Sequence, residues 1–408
     1  GEDSATSAPD TVVYRLGRTR LGPVLDRRWL CWLVLAGVAA LLVVSIGFPA
    51  FRTVPMKMLP FDNKSEFQLV VGMPEGTTLD ESNAVAQAIG RYLATIPEVR
   101  DFEAYVGTAS PMDFNGMVRH YFLRRGPFVA DVRVNLAPKE NRAHQSHELI
   151  LRIRSDVAEL AESLGANVKL VEVPPGPPVI STITVEVYGA EDADYQQLID
   201  AARLVEQRLR QEPGVVDVDT SAQDEQSRWV FVTDKEKAAL SEITTDDVAQ
   251  TLQLALDGLR PAVLHLDREV NPLWIELRLP RDRRSDIHDL RSLYAVGANE
   301  QLVQLASICR FEEQVDEQAI YHKNLKRVAF VYAEAAGRSP VDAIIDVQFD
   351  QLEAGAVVPE SPDAAIPRDL SSRSWLSPGG GIPWSLPPGA SLTWRGEGEW
   401  KITLDVFR

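Results

Sequence analysis

The side chains best suited to bind a small molecule lie within residues 107–127 or just before them. This segment joins two predicted strands. Aromatic and thioether side chains recur there, and both kinds make adaptable contacts with apolar or amphiphilic ligands. The alternative is that these side chains cap the core of the surrounding domain. The predicted substrate-binding residues are Tyr105, Met112, Phe114, Met117, Tyr121 and Phe122.

The methionines allow a second chemistry, because thioether sulfur is a soft ligand that suits Cu(I) or Ag(I). The candidate ligands for such an ion are Met73, Met112 and Met117. His144 and His147 stand three residues apart beside Glu148, but metal sites usually need three or four convergent ligands. We therefore expect these two histidines to be solvated at the start of a surface helix, and we predict no resident metal.

The sequence contains no motif of a common enzyme class. It lacks Gly-x-Gly-x-x-Gly after a strand, His-Glu-x-x-His, Gly-x-Ser-x-Gly and Cys-x-x-Cys. The three glycines at 379–381 precede Ile382 and Pro383 rather than a Lys-Ser pair and a helix, so they do not form a phosphate loop. We predict neither catalysis nor a cofactor.

Residues 30–51 contain no charged side chain, and as a helix they are long enough to cross the ~30 Å hydrocarbon core of a bilayer. Only Arg52 and Lys57 follow this span closely, whereas basic residues crowd before it. The preceding basic residues are Arg15, Arg18, Arg20, Arg27 and Arg28. The positive-inside rule then places residues 1–29 in the cytoplasm and the body beyond residue 56 in the periplasm of a bacterium, anchored in the inner membrane.

The composition is that of an acidic globular protein. The formal net charge is -17, which argues against nucleic acid as a partner. Hydrophobic residues make up 45% of the chain and charged residues 25%, as in ordinary globular domains. Cys31 stands at the membrane boundary and Cys309 far along the body, so we expect no intramolecular disulfide.

Strand and helix periodicities recur in four strand-helix-strand units after the span. The fold class is therefore α+β: one N-terminal transmembrane helix, then two split-βαβ (ferredoxin-like) subdomains, the second interrupted by an α+β insertion. Gly165 is expected to cap a helix in the left-handed conformation, and prolines at 174–178 form a linker. The predicted boundaries are 56–174 for the first subdomain, 179–225 and 324–396 for the second, 226–323 for the insertion, and 397–408 for the start of a membrane-proximal segment.

Four short motifs occur in a fixed order around this duplication. They are Met58-Leu59-Pro60-Phe61-Asp62, Met73-Pro74-Glu75-Gly76-Thr77-Thr78, Asp234-x-x-Lys237-Ala238 with Asp246-Asp247-Val248, and Leu386-Pro387-Pro388-Gly389 with Trp394-x-Gly396-Glu397. In this order the chain resembles the second half of a resistance-nodulation-division (RND) efflux permease, from its seventh transmembrane helix onward.

The resemblance implies that the two subdomains are porter subdomains and that the insertion is a docking subdomain. It also implies a homotrimer that works with a periplasmic adaptor (membrane fusion) protein and an outer-membrane channel, and that exports a small molecule or an ion. Multidrug members place several phenylalanines on and after the strand that precedes the 107–127 segment. This chain has Glu103, Tyr105, Thr108 and Ser110 there. These residues argue against an apolar drug-binding pocket.

Three functions are compatible with the sequence. The first is the substrate-handling part of a proton-driven efflux permease. The second is the heavy-metal branch of the same family, with Cu(I) or Ag(I) as the cargo. The third is a noncatalytic, membrane-anchored periplasmic module that binds or scaffolds.

The resemblance implies a proton relay of carboxylates and a lysine in other transmembrane helices, whereas residues 30–51 contain no ionisable group. We therefore expect this chain to behave as a truncated permease. Expressed alone in cells that lack related pumps, it should give no uncoupler-sensitive export of dyes, drugs or metal ions above the vector control. Reproducible energy-dependent export in that strain would contradict the prediction.

Overall fold

The computed structural model describes residues 27–54, 62–173, 179–359 and 366–406. The basic residues at 15, 18 and 20, the motif residues 58–61 and the proline linker at 174–178 lie outside them. The described part of the chain forms two compact units: Glu225–Gln318, and the residues that precede and follow it in sequence. It is a mixed α/β protein with one apolar helix near its N-terminus.

Helix α1 (Arg28–Ala50) has 23 residues and is about 35 Å long, enough to cross a bilayer. None of its residues is buried against the rest of the chain. Its end is a Schellman motif, since Thr53 N–H donates to the Phe48 carbonyl and Arg52 N–H to the Pro49 carbonyl. Arg52 occupies the left-handed position with a φ of 56°, where glycine is usual.

The first lobe, residues 62–173, follows the order β-α-β-β-α-β. The sheet is antiparallel with strand order β2-β3-β1-β4, and a short helix α3 (Phe114–Val118) lies in the β2–β3 connection. Gly165 caps the second long helix at a φ of 71°, as predicted. The main elements are β1 (Glu66–Gly72), α2 (Leu79–Leu93), β2 (Val99–Thr108), β3 (Arg125–Leu136), α4 (Ser146–Ser163) and β4 (Asn167–Glu172).

One face of this sheet forms the core with α2 and α4, through residues such as Leu69, Ile89 and Leu149. The opposite face carries Asp131, whose carboxylate is buried. It accepts hydrogen bonds from the Ser110 backbone N–H at 2.8 Å and from the Arg124 guanidinium at 2.8 Å. The connection between β2 and β3 is therefore held against the sheet by polar contacts at both of its ends.

The second lobe, residues 179–224 and 319–398, repeats this order, with the sheet arranged β16-β5-β15-β6. Trp394 of the fourth motif lies just beyond the last strand, where its ring is buried in the core. A hairpin of β13 (His322–Lys323) and β14 (Lys326–Arg327) precedes β15, and α11 (Glu399–Val406) follows the lobe. The main elements are β5 (Ile183–Tyr188), α5 (Tyr195–Arg210), β6 (Val215–Thr220), β15 (Ala329–Ala335), α10 (Pro340–Phe349) and β16 (Ser391–Thr393).

The unit Glu225–Gln318 has its own small core around Ile243, Ala295 and Leu305. All five residues of β9 are exposed, so the alternation of leucine and isoleucine there does not bury one face within this unit. The elements are β7 (Ser227–Thr233), α6 (Lys235–Leu240), α7 (Thr245–Leu256), β8 (Leu259–Leu264), β9 (Leu273–Leu277), α8 (Ile287–Arg291), β10 (Tyr294–Val296), β11 (Leu302–Gln304), α9 (Leu305–Ile308) and β12 (Cys309–Val315).

A buried ionic cluster organises the second lobe around the carboxylates of Asp346 and Glu212, whose side chains are 0% exposed. Arg373 bridges the two, at 3.0 Å from Asp346 and 2.5 Å from Glu212. Arg338 bridges them again, at 2.8 and 2.7 Å. Burial alone would raise the pKa of Asp346, but hydrogen bonds from Arg52, the Gly379 N–H and Arg373 hold it well below its usual range.

The three consecutive glycines belong to this cluster. Gly379 N–H donates to Asp346 at 2.9 Å, and Gly380 and Gly381 N–H donate to Asp350 at 2.8 and 3.1 Å. Gly379 has a φ of 98°, and a Cβ there would lie 2.7 Å from an Asp350 oxygen. The sequence therefore needs glycine so that backbone N–H groups can surround a carboxylate of the chain itself.

Replacing Asp346 with asparagine should lower the free energy of unfolding by about 3–5 kcal/mol, because it leaves buried guanidinium groups without their counter-charge. Chemical denaturation of the detergent-solubilised chain at pH 7 measures this loss. Glu353→Gln, an exposed change a few residues later in the sequence, should stay within about 0.5 kcal/mol of the unmodified protein. Equal stability of the two variants would show that the cluster is not a stabilising centre.

Candidate functional site

The two lobes meet where β4 of the first lies beside β6 of the second. A side-chain hydrogen bond connects these strands: the Asp217 carboxylate accepts from the Leu170 backbone N–H at 3.1 Å. Asp217 also pairs with Arg154 at 2.5 Å. Burial raises the pKa of Asp217 in spite of the opposing effect of Arg154.

Two further ion pairs cross the same boundary, Lys169 with Asp219 and Arg119 with Glu334. In all three pairs the cation belongs to the first lobe and the carboxylate to the second. Burial would lower the pKa values of Lys169 and Arg119, but the facing carboxylates raise both. These cations therefore stay charged at neutral pH, and the contact between the lobes is electrostatic.

A cavity of about 470 Å³ lies at this boundary. Residues of both lobes line it, and its charged lining consists of four carboxylates and four cations. The carboxylates are those of Glu75, Glu206, Asp219 and Asp224, and the cations are those of Arg124, Lys169, Arg203 and Arg210. A cavity with this lining suits a polar or charged ligand better than an apolar ligand.

Glu75 differs from the other carboxylates of the cavity. Asp219 pairs with Lys169, Glu206 with Arg210 at 2.6 Å, and Asp224 with Arg203 at 3.5 Å. Among the residues that the structure describes, no lysine or arginine forms an ion pair with Glu75.

The pKa of Glu75 reflects this environment. Burial raises it, backbone hydrogen bonds including one from Asp224 oppose the shift, and the negative charges of Asp224 and Asp219 raise it further. Burial likewise raises the pKa of Glu206, against the effect of Arg210. Glu75 is therefore a carboxylate of this cavity whose charge is opposed by burial and by two neighbouring carboxylates.

Two of the predicted site residues, Met73 and Tyr121, line this cavity. Met73 also packs against the core of the first lobe. Tyr121 lies in a short 3₁₀ helix, Tyr121–Leu123, and makes a hydrogen bond with Arg119. Phe122 of the same turn contacts the His120 ring edge to face, with the ring centres 6.4 Å apart.

The other predicted residues are not part of the cavity lining. Met112 and Met117 are exposed, at 63% and 46%. The Tyr105 hydroxyl donates to Glu103 at 2.5 Å on β2, and Phe114 begins α3, its side chain lying outside what the structure describes. The structure therefore does not gather Met73, Met112 and Met117 in this cavity.

The described residues contain no group of three or more His, Cys, Asp or Glu side chains placed to hold a metal ion. The two histidines that were expected to be solvated each face a carboxylate. His144 lies 3.7 Å from Glu148, and His147 lies 2.8 Å from Glu172. They therefore point to separate partners rather than to one shared site.

Neither Glu75 nor the ion pairs between the lobes were predicted from the sequence. Glu75 does stand in the motif before α2 and could have been singled out as a charged residue at a turn. Lys169 and Asp219 are 50 residues apart, and no sequence pattern pairs them. Only the docking of two separately predicted lobes brings these side chains together.

Comparison with known proteins adds three kinds of similarity. A family model described as the AcrB/AcrD/AcrF family matches residues 18–361. The nickel-cobalt-cadmium resistance protein NccA of Alcaligenes xylosoxydans xylosoxydans is 24% identical over 372 residues, covering 86% of this chain and 32% of that protein. The nickel and cobalt resistance protein CnrA of Cupriavidus metallidurans is 26% identical over 325 residues, covering 74% and 28%.

Two crystal forms of a heavy metal efflux pump share the fold. Form I superposes with a TM-score of 0.64 at 17% identity, covering 97% of this chain and 37% of the pump. Form II gives 0.61 at 19% identity, covering 83% and 34%. The chain spans about a third of the length of the curated relatives it matches.

The raised pKa of Glu75 predicts a pH-dependent stability. Its folded-state pKa lies above its ordinary value of 4.5, so its contribution to stability is complete below pH 4.5 and is lost as the pH rises through the folded-state value. Glu75→Gln should therefore raise the unfolding temperature at pH 7 and leave it nearly unchanged at pH 4. Thermal scans between these values, with the exposed Glu159→Gln as control, measure the difference. An equal shift at both pH values would exclude Glu75 as the titrating group.

Proposed function

The chain belongs to the AcrB/AcrD/AcrF family, the RND permeases, and from that premise we propose that it is the substrate-handling body of half an efflux permease. We further propose that the cargo passes through the cavity between the two lobes. The observation that carries this proposal is the cavity itself, which both lobes line and in which the Lys169–Asp219 ion pair joins one lobe to the other. Its role is to bind and release rather than to catalyse.

The parts of the molecule take their proposed roles from this assignment. The lobes act as porter subdomains of the split-βαβ type, which is supported by the same strand order in both sheets. The unit Glu225–Gln318 acts as the docking subdomain, for which the sequence suggested 226–323. Helix α1 spans the inner membrane, with residues 1–29 in the cytoplasm and the body in the periplasm. Assembly as a trimer with an adaptor protein and an outer-membrane channel belongs to the same proposal.

For the cargo, we propose a divalent transition-metal cation. The named relatives confer resistance to nickel, cobalt and cadmium, and Glu75 supplies a half-buried carboxylate without a cationic partner among the described residues. A carboxylate can ligate such a cation, since affinity for a site with N, O or S ligands rises from Mn²⁺ through Co²⁺ to Ni²⁺, and Met73 offers a thioether in the same cavity. Transient binding by a few ligands also suits a transporter, because the ion must leave again.

This differs from the Cu(I) or Ag(I) site first suggested by the methionines, because Met112 and Met117 are not part of the cavity lining. An organic cargo is the remaining alternative. The charged lining and the polar residues on β2 make it the weaker one.

Calorimetric titration of the full chain with Ni²⁺ tests the metal proposal. Glu75→Gln should weaken Ni²⁺ binding at least tenfold, about 1.4 kcal/mol, because it removes a carboxylate that no lysine or arginine among the described residues neutralises. Glu159→Gln, exposed on α4, should bind Ni²⁺ like the unmodified chain.

Unchanged Ni²⁺ affinity in Glu75→Gln would remove this cavity as the metal site. Silver binding that is lost in a Met112→Leu, Met117→Leu variant would restore the thioether site. A fluorescence response to amphiphilic dyes that weakens in Tyr105→Ala, together with no metal binding, would support an organic cargo.

A further inference from the structure

The end of helix α1 is attached to the second lobe by direct side-chain contacts. The Arg52 guanidinium makes two hydrogen bonds with Asp346, at 2.9 and 2.8 Å, and its Nε lies 3.3 Å from Asp342. Both carboxylates belong to α10. The Arg52 side chain is only 10% exposed, so this is a largely buried, bidentate ion pair.

A second contact attaches the same helix end. Trp375 donates its backbone N–H to the Ala50 carbonyl at 2.9 Å and its indole N–H to Asp342 at 2.7 Å. One of the unsatisfied carbonyls at the end of α1 is thereby capped by the loop that carries the three glycines. The loop and α10 thus hold the helix end from two directions.

The backbone of Arg52 supports the view that this attachment is specific. Arginine holds the left-handed position that ends α1, which costs a residue with a Cβ more than it costs glycine. Glycine would close the helix equally well but could not reach Asp346. The pairing with α10 gives a physical reason for arginine at this position.

We propose that Arg52 is a positioning residue that joins α1 to the second lobe, so that the membrane helix and α10 move as one body. The attachment is independent of any assigned activity. In transport, the attachment would make the second lobe, which forms one wall of the cavity, move when α1 tilts. This role rests on the proposed function.

The rigidity of the link follows from the cluster behind it. Asp346 is also bound by Arg338 and Arg373, and these bind Glu212 at the end of α5. A displacement of Arg52 therefore acts on a closely packed set of charges rather than on one flexible side chain. A surface ion pair, which is solvated and weak, could not carry such a displacement.

Distance measurements between two spin labels test the link. One label is placed on Cys31, near the far end of α1, and the other on Phe349→Cys, an exposed position at the end of α10, with Cys309 replaced by serine. The full chain is reconstituted in lipid nanodiscs. Because about 30 Å of helix separates Cys31 from the attachment, a small change in tilt gives a large change in distance.

Arg52→Gln should at least double the width of the distance distribution. Arg52→Lys, which keeps the charge but not the bidentate geometry, should give an intermediate width. Arg373→Gln is the matched control, because it removes a guanidinium from Asp346 without removing a contact to α1, and it should broaden the distribution less than Arg52→Gln does.

An unchanged width in Arg52→Gln, or equal broadening in Arg373→Gln, would overturn the proposal. The second outcome would mean that Arg52 serves only the stability of the cluster. Neither result depends on metal binding, so failure of this link and failure of the proposed function are separate outcomes.

Discussion

The carboxylate of Asp346 binds guanidinium groups from three separate parts of the chain: the end of α1, the turn before α10, and the loop between α10 and β16. A buried charge of this kind is expensive unless it is fully paired. With Glu212, Asp342 and Asp350 the cluster holds four carboxylates, matched by Arg52, Arg208, Arg338 and Arg373. The balance of charges fixes where each segment must lie, so the position of α1 depends on it.

The contact between the lobes is built differently. It includes three ion pairs that join one lobe to the other: the side chains of the Lys169–Asp219 pair are 20% and 36% exposed, and those of the other two pairs are between 5% and 15% exposed. Separating the lobes would return these charges to water rather than expose an apolar core. We therefore expect opening of the lobes to cost less than disruption of the Asp346 cluster, in which Asp346, Glu212 and Arg373 are 0% exposed.

Much of the fold could be predicted because periodicity is a local property. The helix over 79–93 and the strand over 66–72 follow from apolar spacing. The N–H groups of the three glycines bind carboxylates of the chain, and this pairing was not foreseen, because Asp350 belongs to a different element and no local rule links it to Gly380. The site residues divide in the same way: Met73 and Tyr121 were identified by type, whereas Lys169 and Asp219 required the docking of the lobes.

The charge balance inside the cavity explains why its chemistry was hard to foresee from side-chain types. Aromatic and thioether residues drew attention to the segment after β2, yet the cavity is lined by opposite charges that largely neutralise one another. A neutralised pair has little to offer a ligand, because binding must first break the pair. Glu75 is different, since its negative charge is raised in energy by burial and by nearby Asp219 and Asp224. A cation that binds there relieves a repulsion already present in the protein, whereas an anion or an apolar molecule would leave it in place.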